Sequence, residues 1–388
     1  MRQSLFALAT AALFLAACGE SPKTSTQPTP ITTKVETGSP VTASGKTRIA
    51  LLLPLSGRAA PIGQSLQQAA EMALFDTGAK ELALAAYDSG ESADTAVEAY
   101  GKAKTDGAAL VLGPLFGTSA TALAPLVAQG GANVVSFSND EQAAQRGVWI
   151  MGIAAPPQVR RVVDYASDQG IKRFAAFAPQ TSYGQQMVQT MESQVTLRGG
   201  KVASVELFDA NSADLNTPAR RLAEATRGED KLAILVPVAP PRLTSVLTAL
   251  AVAGIDSKSV QLIGTGVWDV PNIGQETQLR GAWYAAPDPA KRADFERRFL
   301  ATYGRPPHRL ATLAYDGVAL AGHLARLKPG GDFSAEAITS PNGWSGVDGI
   351  FRFLPNGRSE RALAVISVQG GQGTVVSPAP TTFASPTN

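Results

Sequence analysis

The chain has very few residues of the types that carry most metal and nucleophilic chemistry. Its 388 residues include one cysteine and two histidines. This excludes a disulfide framework, a cysteine-based zinc site and a Cys–His catalytic pair inside a fold. Lysine and arginine total 34 against 32 aspartate and glutamate, and this balance gives no basic surface for nucleic acid. We therefore expect no metal, no cofactor and no nucleic-acid partner.

Common catalytic motifs are missing as well. The sequence has no Gly-x-Ser-x-Gly, no Gly-x-Gly-x-x-Gly after a predicted strand, and no complete Gly-x-x-x-x-Gly-Lys-Ser/Thr loop. His308 and His323 have no partner at metal-ligand spacing. The sequence predicts a protein that is not an enzyme.

The N-terminus carries a targeting segment. A positive charge at Arg2 precedes an apolar run from Leu5 to Ala17, which is too short to span a bilayer. The run ends in Leu-Ala-Ala-Cys-Gly, which resembles the bacterial lipobox and implies a signal peptide at 1–17 and a lipid on Cys18. The alternatives are an ordinary signal peptide or a buried cysteine, but the position of the single cysteine favours lipidation.

Both ends of the mature chain have a composition typical of disorder. The segment 18–46 is rich in Ser, Thr and Pro and has few large apolar residues, so it cannot bury a core. As a random coil it would hold the folded part roughly 30 Å from the anchor. Residues 377–388 have the same character, so we expect a tether, a folded unit ending near Val376, and a disordered tail.

Between the two ends, short apolar runs alternate with amphipathic stretches. The run Arg48 to Leu55 is followed by a helical pattern from Gln64 to Phe75, and this rhythm repeats to Phe137. It restarts with a helical pattern at Gln158 and continues to a strand at Gln261 to Thr265. The alternation predicts two α/β lobes with parallel sheets and helices on both faces. Ligand sites in such sheets lie at the carboxyl ends of the strands.

The loops after the predicted strands resemble one family. The opening loop Pro54 to Gly63, the segment Gly113 to Ser119, the segment Val135 to Ser138 and the triplet Ser182-Tyr183-Gly184 occur in the order and spacing of the type I periplasmic binding proteins of the branched-chain amino-acid-binding kind. Ala314 to Gly317 and Asp348 to Phe353 resemble later pieces of that family. Activators of penicillin-binding proteins share the superfamily.

The resemblance implies a Venus-flytrap architecture in which the chain crosses the hinge three times. It places the predicted helices Arg292 to Tyr303 and Arg309 to Leu327 back on the first lobe. The expected domains are lobe 1 at 47–156 plus 286–335 and lobe 2 at 157–285 plus 336–376.

Hydroxyl and small residues at the strand ends form the expected ligand site. A helix N-terminus at Gly117 offers free N–H groups to an anion, although Thr118 or Ser119 can equally act as a helix cap. Ser136 and Ser138 can equally be ordinary turn serines, and Tyr183 keeps the position of the family's aromatic residue. The candidate ligand-binding residues are Ile62, Gly117, Thr118, Ser136, Ser138 and Tyr183.

Two departures argue against amino-acid specificity. Asp140 stands where the family has a hydroxyl residue facing the ligand carboxylate, and like charges repel. The family's acidic residue for the ligand ammonium matches Gly266 or Val267, with Asp269 the nearest substitute. We therefore expect a small polar ligand other than leucine, or no ligand.

Two functions remain open at this stage. The first is a monomeric, lipid-anchored solute receptor that delivers its ligand to an ABC permease. The second is an outer-membrane lipoprotein that activates a penicillin-binding protein, a peptidoglycan synthase, through protein contact. Gly19 after Cys18 favours the outer membrane in a Gram-negative cell, whereas the short region before Lys46 leaves no room for the helical repeat domain of known activators.

Replacing Cys18 by Ser tests the membrane anchor. Two acyl chains anchor a protein far more stably than one, so Cys18→Ser should move the protein almost completely from the membrane to the soluble fraction. Mass spectrometry of the wild-type N-terminal peptide should show a diacylglyceryl group. An unchanged membrane fraction in the variant would contradict lipidation.

Overall fold

The computed structural model describes residues 45–228, 231–370 and 373–383. These residues belong to one compact unit. The predicted signal peptide, Cys18 and nearly all of the predicted tether lie outside the described residues. Within the described ranges, no helix combines the length and the apolar character needed to cross a membrane.

A five-stranded parallel sheet forms the centre of the first lobe. Its strand order is β2-β1-β3-β4-β5. The run from Ile49 to Leu53 is fully buried, as expected for a strand covered by helices on both faces. The strands are β1 Thr47–Leu53, β2 Leu82–Asp88, β3 Leu110–Leu112, β4 Asn133–Ser136 and β5 Val148–Ile150.

Five helices cover this sheet. One face packs against α1 (Ala60–Asp76), α8 (Pro289–Tyr303) and α9 (Ala311–Arg326), and the other against α2 (Ala93–Thr105) and α3 (Gly117–Ala128) with their own core. Helix α9 lies deepest, with most of its residues buried. The core of lobe 1 therefore includes two helices that come late in the sequence.

A seven-stranded sheet forms the centre of the second lobe, in the order β15-β14-β10-β9-β8-β6-β7. Strands β6 to β10 are parallel, while β14 pairs antiparallel with β10, and β15 antiparallel with β14. The strands are β6 Arg173–Pro179, β7 Lys201–Phe208, β8 Leu232–Leu235, β9 Gln261–Gly264, β10 Trp283–Ala286, β14 Ala364–Val368 and β15 Gly373–Ser377.

Two helices lie on each face of the second sheet. Helices α4 (Ala155–Asp168) and α5 (Ser182–Leu197) pack on one face, and α6 (Asn216–Ala225) and α7 (Arg242–Val252) on the other. The amphipathic face predicted for the helix from Gln158 is confirmed, because its valines are fully buried. The expected fold class, two α/β lobes with helices on both faces of parallel sheets, is confirmed.

The chain crosses between the lobes three times. It passes from β5 to α4, from β10 to α8, and from residue 361 to β14. Helices α8 and α9 pack on the first lobe, because Phe295 and Phe299 of α8 enter its core.

The last crossing comes later than the sequence predicts. The expected boundary assigns residues 336–376 to lobe 2. Instead α10 (Ala335–Ile338) and a small antiparallel sheet pack on lobe 1, where alternate side chains Phe351 and Phe353 join the core beside Trp149. The strands of this sheet are β11 Trp344–Gly346, β12 Gly349–Phe353 and β13 Ser359–Arg361.

The chain also stays ordered beyond the predicted end at Val376. Strand β15 ends at Ser377, whose hydroxyl accepts a hydrogen bond from Arg161 at 2.6 Å. The ring of Phe383 lies 4.7 Å from the guanidinium of Arg352. Residues 377–383 therefore pack on the fold through contacts that their composition does not predict.

Two glycines provide a matched test of the first lobe. A Cβ on Gly63, in the first turn of α1, would lie 2.0 Å from the carbonyl oxygen of Pro54, whereas a Cβ on exposed Gly101 in α2 would meet nothing within 4 Å. Gly63→Ala should lower the free energy of unfolding by about 1–3 kcal/mol through overpacking. Gly101→Ala should raise it by about 0.5–1 kcal/mol through helix propensity. Urea unfolding measures both, and equal effects would contradict this packing.

Candidate functional site

A cavity of about 260 Å³ lies where the two lobes meet. The residues that line it come from both lobes and from two of the three crossings. Its apolar lining includes Leu115, Phe137, Ile153, Val267, Ala286, Pro287, Leu310 and Leu313. Its polar lining consists of Asn139, Gln158, Tyr183, Asp269 and Arg309.

The topology of the two sheets explains this position. Leu115 follows β3, Asn139 follows β4, Tyr183 opens the helix after β6, and Asp269 follows β9. Because the carboxyl ends of parallel strands meet at one edge of a sheet, loops far apart in sequence converge there. The cavity is therefore at the place where open α/β sheets bind ligands.

Tyr183 is the predicted site residue that lines the cavity. Its hydroxyl and the Oγ1 of fully buried Thr265 are hydrogen-bonded at 2.8 Å within lobe 2. Burial raises the pKa of Tyr183, and the hydrogen bond with Thr265 offsets part of that rise. The phenol is neutral at physiological pH and presents a ring and a dipole to the cavity.

The other five predicted residues do not line this cavity. Ile62 is half-buried against the lobe 1 core, and Thr118 is exposed. Ser136 donates to the carbonyl of Pro114 at 2.8 Å, and its oxygen accepts from the N–H of Ser138. The serine hydroxyls thus stabilise the loops. A ligand role for these five residues remains a prediction.

Asp140 lies against the N-terminus of α3. A Cβ on Gly117 would lie 2.8 Å from the Cβ and from the Oδ2 of Asp140 and 3.2 Å from the Oγ of Ser138. The Asp140 N–H donates to that same hydroxyl at 3.0 Å. A protein carboxylate therefore lies beside the position where the sequence predicts an anion, and favourable partial charge at the helix N-terminus acts on it.

Asp269 forms ion pairs across the lobes. It belongs to lobe 2, and its Oδ1 and Oδ2 accept from the terminal nitrogens of Arg292 of α8 at 3.1 and 2.6 Å. The Nε and Nη2 of Arg309, which precedes α9, each lie 3.3 Å from Oδ2. The two carboxylate oxygens thus accept four hydrogen bonds from two arginines of lobe 1.

Asp348 continues this cluster into lobe 1. Its Oδ2 accepts from Nη1 of Arg309 at 3.2 Å and from the hydroxyl of Thr312 at 2.6 Å. Burial raises the pKa of Asp348, but the charges of Arg309 and Arg361 outweigh burial and hold it below its usual value. Asp348 is therefore an anion although it is fully buried.

A second buried pair lies behind Asp348. Arg361 is 3.9 Å from Asp316 of α9 and donates to the carbonyl oxygens of Asp348 and Met151 at 3.3 and 3.4 Å. Burial raises the pKa of Asp316 to about 7, against a partial offset from Arg361. Its Oδ2 makes no hydrogen bond.

The remaining polar residues of the cavity differ in their freedom to bind. Gln158 donates to Ala154 at 3.1 Å and accepts from the N–H of Gly266 at 2.5 Å, so its amide is used within the protein. The side-chain amide of Asn139 has no hydrogen-bond partner within the described ranges. Trp268, which follows β9, is fully buried outside the cavity lining, and its indole N–H donates to the carbonyl of Val238.

Sequence reasoning identified Asp269 as a substitute acid but missed Arg292, Arg309 and Asn139. Arg309 lies just before α9, the helix that contains the family-like segment Ala314 to Gly317. Its place next to this segment was the signal in the sequence that could have identified it. In the part of the chain that the structure describes, no group of three or more His, Cys, Asp and Glu side chains is placed to hold a metal ion. The side chains that line the cavity offer hydrogen bonds, charge and apolar contact.

Two α/β lobes with three crossings and a cavity at their junction define a two-lobed ligand-binding protein. Residues 46–372 match the family model of periplasmic binding proteins. The chain belongs to this family, which implies a location outside the cytoplasm. In sequence, it is 23% identical over 175 residues to RP748 of Rickettsia prowazekii, an uncharacterized protein; the match covers 45% of this chain and 47% of that one.

Solved structures of the same fold include a leucine-binding protein and substrate- or solute-binding proteins of ABC transporters. The leucine-binding protein LivK of Thermotoga maritima has a TM-score of 0.61 and 19% identity, over 85% of this chain and 98% of that chain. A substrate-binding protein from Sphaerobacter thermophilus has a TM-score of 0.69 and 18% identity, over 88% and 98%. A solute-binding protein from R. palustris in complex with benzoate has a TM-score of 0.60 and 17% identity, over 87% and 98%.

The buried Asp316 predicts a pH dependence of stability. Its pKa is raised from 3.8 to about 7 in the fold, so the folded state favours the protonated acid. The contribution of Asp316 to the stability of the wild type should therefore fall as pH rises from 4 to 7 and stay constant above 7. Asp316→Asn lacks this titration, so its stability relative to the wild type should rise across that window, by at most about 1.4 kcal/mol per pKa unit.

Urea unfolding of both proteins at several pH values measures this difference. A difference in unfolding free energy that is the same at every pH reflects the loss of the partner of Arg361. The predicted effect is instead a difference that changes with pH. A difference that does not change between pH 4.5 and pH 7.5 would contradict the raised pKa.

Proposed function

We propose that this protein is an extracytoplasmic solute receptor that captures a small ligand in the cavity between its lobes and delivers it to an ABC permease. The observation that carries the proposal is the cavity itself, which is lined by loops of both lobes and by the crossings Ile153 and Pro287. A ligand that touches both lobes stabilises their closed arrangement, because hinge closure creates contacts that the open form lacks.

The lining indicates a ligand with an apolar body and a limited number of polar atoms. Apolar side chains surround most of the space, while Asn139, Tyr183 and Arg309 present polar groups. Binding sites for small molecules commonly combine an apolar lining with a few placed polar groups. The volume of about 260 Å³ suits a molecule of the size of a branched-chain amino acid or a benzoate.

The polar groups argue against leucine, isoleucine and valine as ligands. The carboxylate of Asp140 lies beside Gly117, where a ligand carboxylate would be expected. Asp269, the nearest acid for a ligand ammonium, is shared by two arginines. An α-amino acid bound in the orientation that the family resemblance implies would therefore place its carboxylate beside Asp140 and its ammonium beside an acid that is already neutralised.

We further propose that the receptor is anchored to the cell envelope through a lipid on Cys18, in the outer membrane if the cell is Gram-negative. Support comes from the lipobox-like sequence alone. The alternative role as an activator of a peptidoglycan synthase is not favoured, since the solved structures compared above are transport proteins.

Tyr183 gives a direct test of the receptor role. A thermal-shift screen of the purified protein against small polar metabolites should yield at least one stabilising ligand, and calorimetry gives its Kd. Tyr183→Ala should weaken that ligand by about 1–3 kcal/mol, which is roughly 5- to 150-fold, because the ring is lost from a buried contact.

Tyr165→Ala is the matched control. Tyr165 is also a half-buried tyrosine of lobe 2, but its ring packs edge-on against Trp283 at 4.8 Å, away from the cavity lining. It should leave the Kd unchanged. Tight binding of leucine, isoleucine or valine would overturn the ligand assignment. If a broad screen finds no ligand and a pull-down with this protein recovers a peptidoglycan synthase, the activator role would be favoured.

A further inference from the structure

Four charged side chains form a cluster at one end of the cavity, and their charges sum to zero. Arg292 and Arg309 contribute two positive charges, and Asp269 and Asp348 contribute two negative ones. The side chains of Arg292 and Asp269 are 14% and 12% exposed, so water screens these charges weakly. Glu296 also contacts Arg292, but it is half exposed and faces solvent.

Asp269 is poorly placed to receive a ligand cation. Its Oδ2 accepts from Arg292 at 2.6 Å and twice from Arg309 at 3.3 Å, and its Oδ1 accepts from Arg292 at 3.1 Å. A ligand ammonium approaching Asp269 would meet two guanidinium groups. The repulsion between like charges opposes a cation at this end of the cavity.

Arg309 retains free donors, and its positive charge is balanced by the carboxylates of Asp269 and Asp348. Of its five N–H groups, two point to Asp269 and one to Asp348, which leaves one N–H on each terminal nitrogen without a partner among the residues that the structure describes. A ligand carboxylate accepting from them would lie close to two protein carboxylates on the same guanidinium. An uncharged acceptor, such as an amide carbonyl or a hydroxyl, gains the hydrogen bond without that repulsion.

We infer that Asp269, held between Arg292 and Arg309, makes the cavity select a ligand whose polar group at this end is uncharged. Asp269 and Arg292 are then specificity-determining residues, and removing either charge should invert the preference. The amide of Asn139, which lines the same cavity, can pair with a neutral polar group as donor or acceptor. This inference rests on the proposed receptor function and specifies its ligand class.

Three probes of nearly equal shape show whether the cavity prefers a neutral, an anionic or a cationic ligand. Benzamide is neutral, benzoate is an anion and benzylammonium is a cation, and each ring suits the apolar lining. Calorimetry at pH 8 keeps Asp316, whose pKa is about 7, mostly ionised against Arg361. The readout is the ratio of Kd values among probes within one variant, which is insensitive to a uniform loss of affinity when an ion pair between lobes is broken.

Wild type should bind benzamide at least tenfold more tightly than benzoate or benzylammonium. Asp269→Asn leaves a net positive cluster and should shift the benzoate-to-benzamide ratio toward benzoate by at least tenfold. Arg292→Gln leaves a net negative cluster and should shift the preference toward benzylammonium. The double variant is neutral again and should restore the wild-type order, which a merely structural role of these residues would not produce.

The outcomes distinguish the inference from the function on which it rests. If wild type binds benzoate or benzylammonium as tightly as benzamide, or if the double variant keeps the order of a single variant, the charge rule is wrong while the receptor function stands. If none of the four proteins binds any of the three probes, and the wild type also gives no ligand in the metabolite screen, both the charge rule and the receptor function are overturned. Circular dichroism checks that each variant folds, and the double variant keeps the test available if one single variant does not.

Discussion

The site depends on the ion pairs between Asp269 of lobe 2 and two arginines of lobe 1, Arg292 and Arg309. Moving charges from water into the protein interior costs free energy, and an ion pair recovers this cost only when its geometry is good and it forms further hydrogen bonds. Asp269 meets that condition with four donors, two of them from the bidentate contact of Arg292. The pairing fixes how the lobes face each other in this structure and determines which charges the cavity presents.

The same cluster reaches the points where the chain crosses between lobes. Arg361 ends β13 just before the third crossing and donates to Met151 at the start of the first, while Arg292 lies in the helix that follows the second. Lobe 1 contributes Asp348 and Asp316 from late segments that pack on its core. Any hinge motion therefore acts on a network of buried charges, and such a network favours distinct arrangements over gradual deformation.

A shared fold leaves the ligand open, because ligand chemistry is set by a few side chains at the strand ends. The solved structures of this fold include a leucine-binding protein and a solute-binding protein in complex with benzoate, and these two ligands differ in charge and shape. In this chain Asp140 stands beside Gly117, and two arginines contact Asp269. The fold positions the cavity, and the side chains around it set its polarity.

The sequence alone determined the two lobes and most of their elements, because buried parallel strands and amphipathic helices are encoded in local apolar periodicity. Strands β5 and β10 were not predicted, because only short 3-10 helices separate β5 from β4 and β10 from β9, so neither strand follows the alternation of strand and α-helix.

The tertiary structure alone decided the rest. Residues 336–361 packed on lobe 1 through Phe351 and Phe353, a long-range contact that no local pattern specifies. Likewise Asp269, Arg292 and Arg309 are ordinary charged residues in the sequence, and only the convergence of two loops and helix α8 at the lobe junction makes them one site. Apolar periodicity is a local property of the chain, whereas charge pairing across lobes depends on distances that exist only after folding.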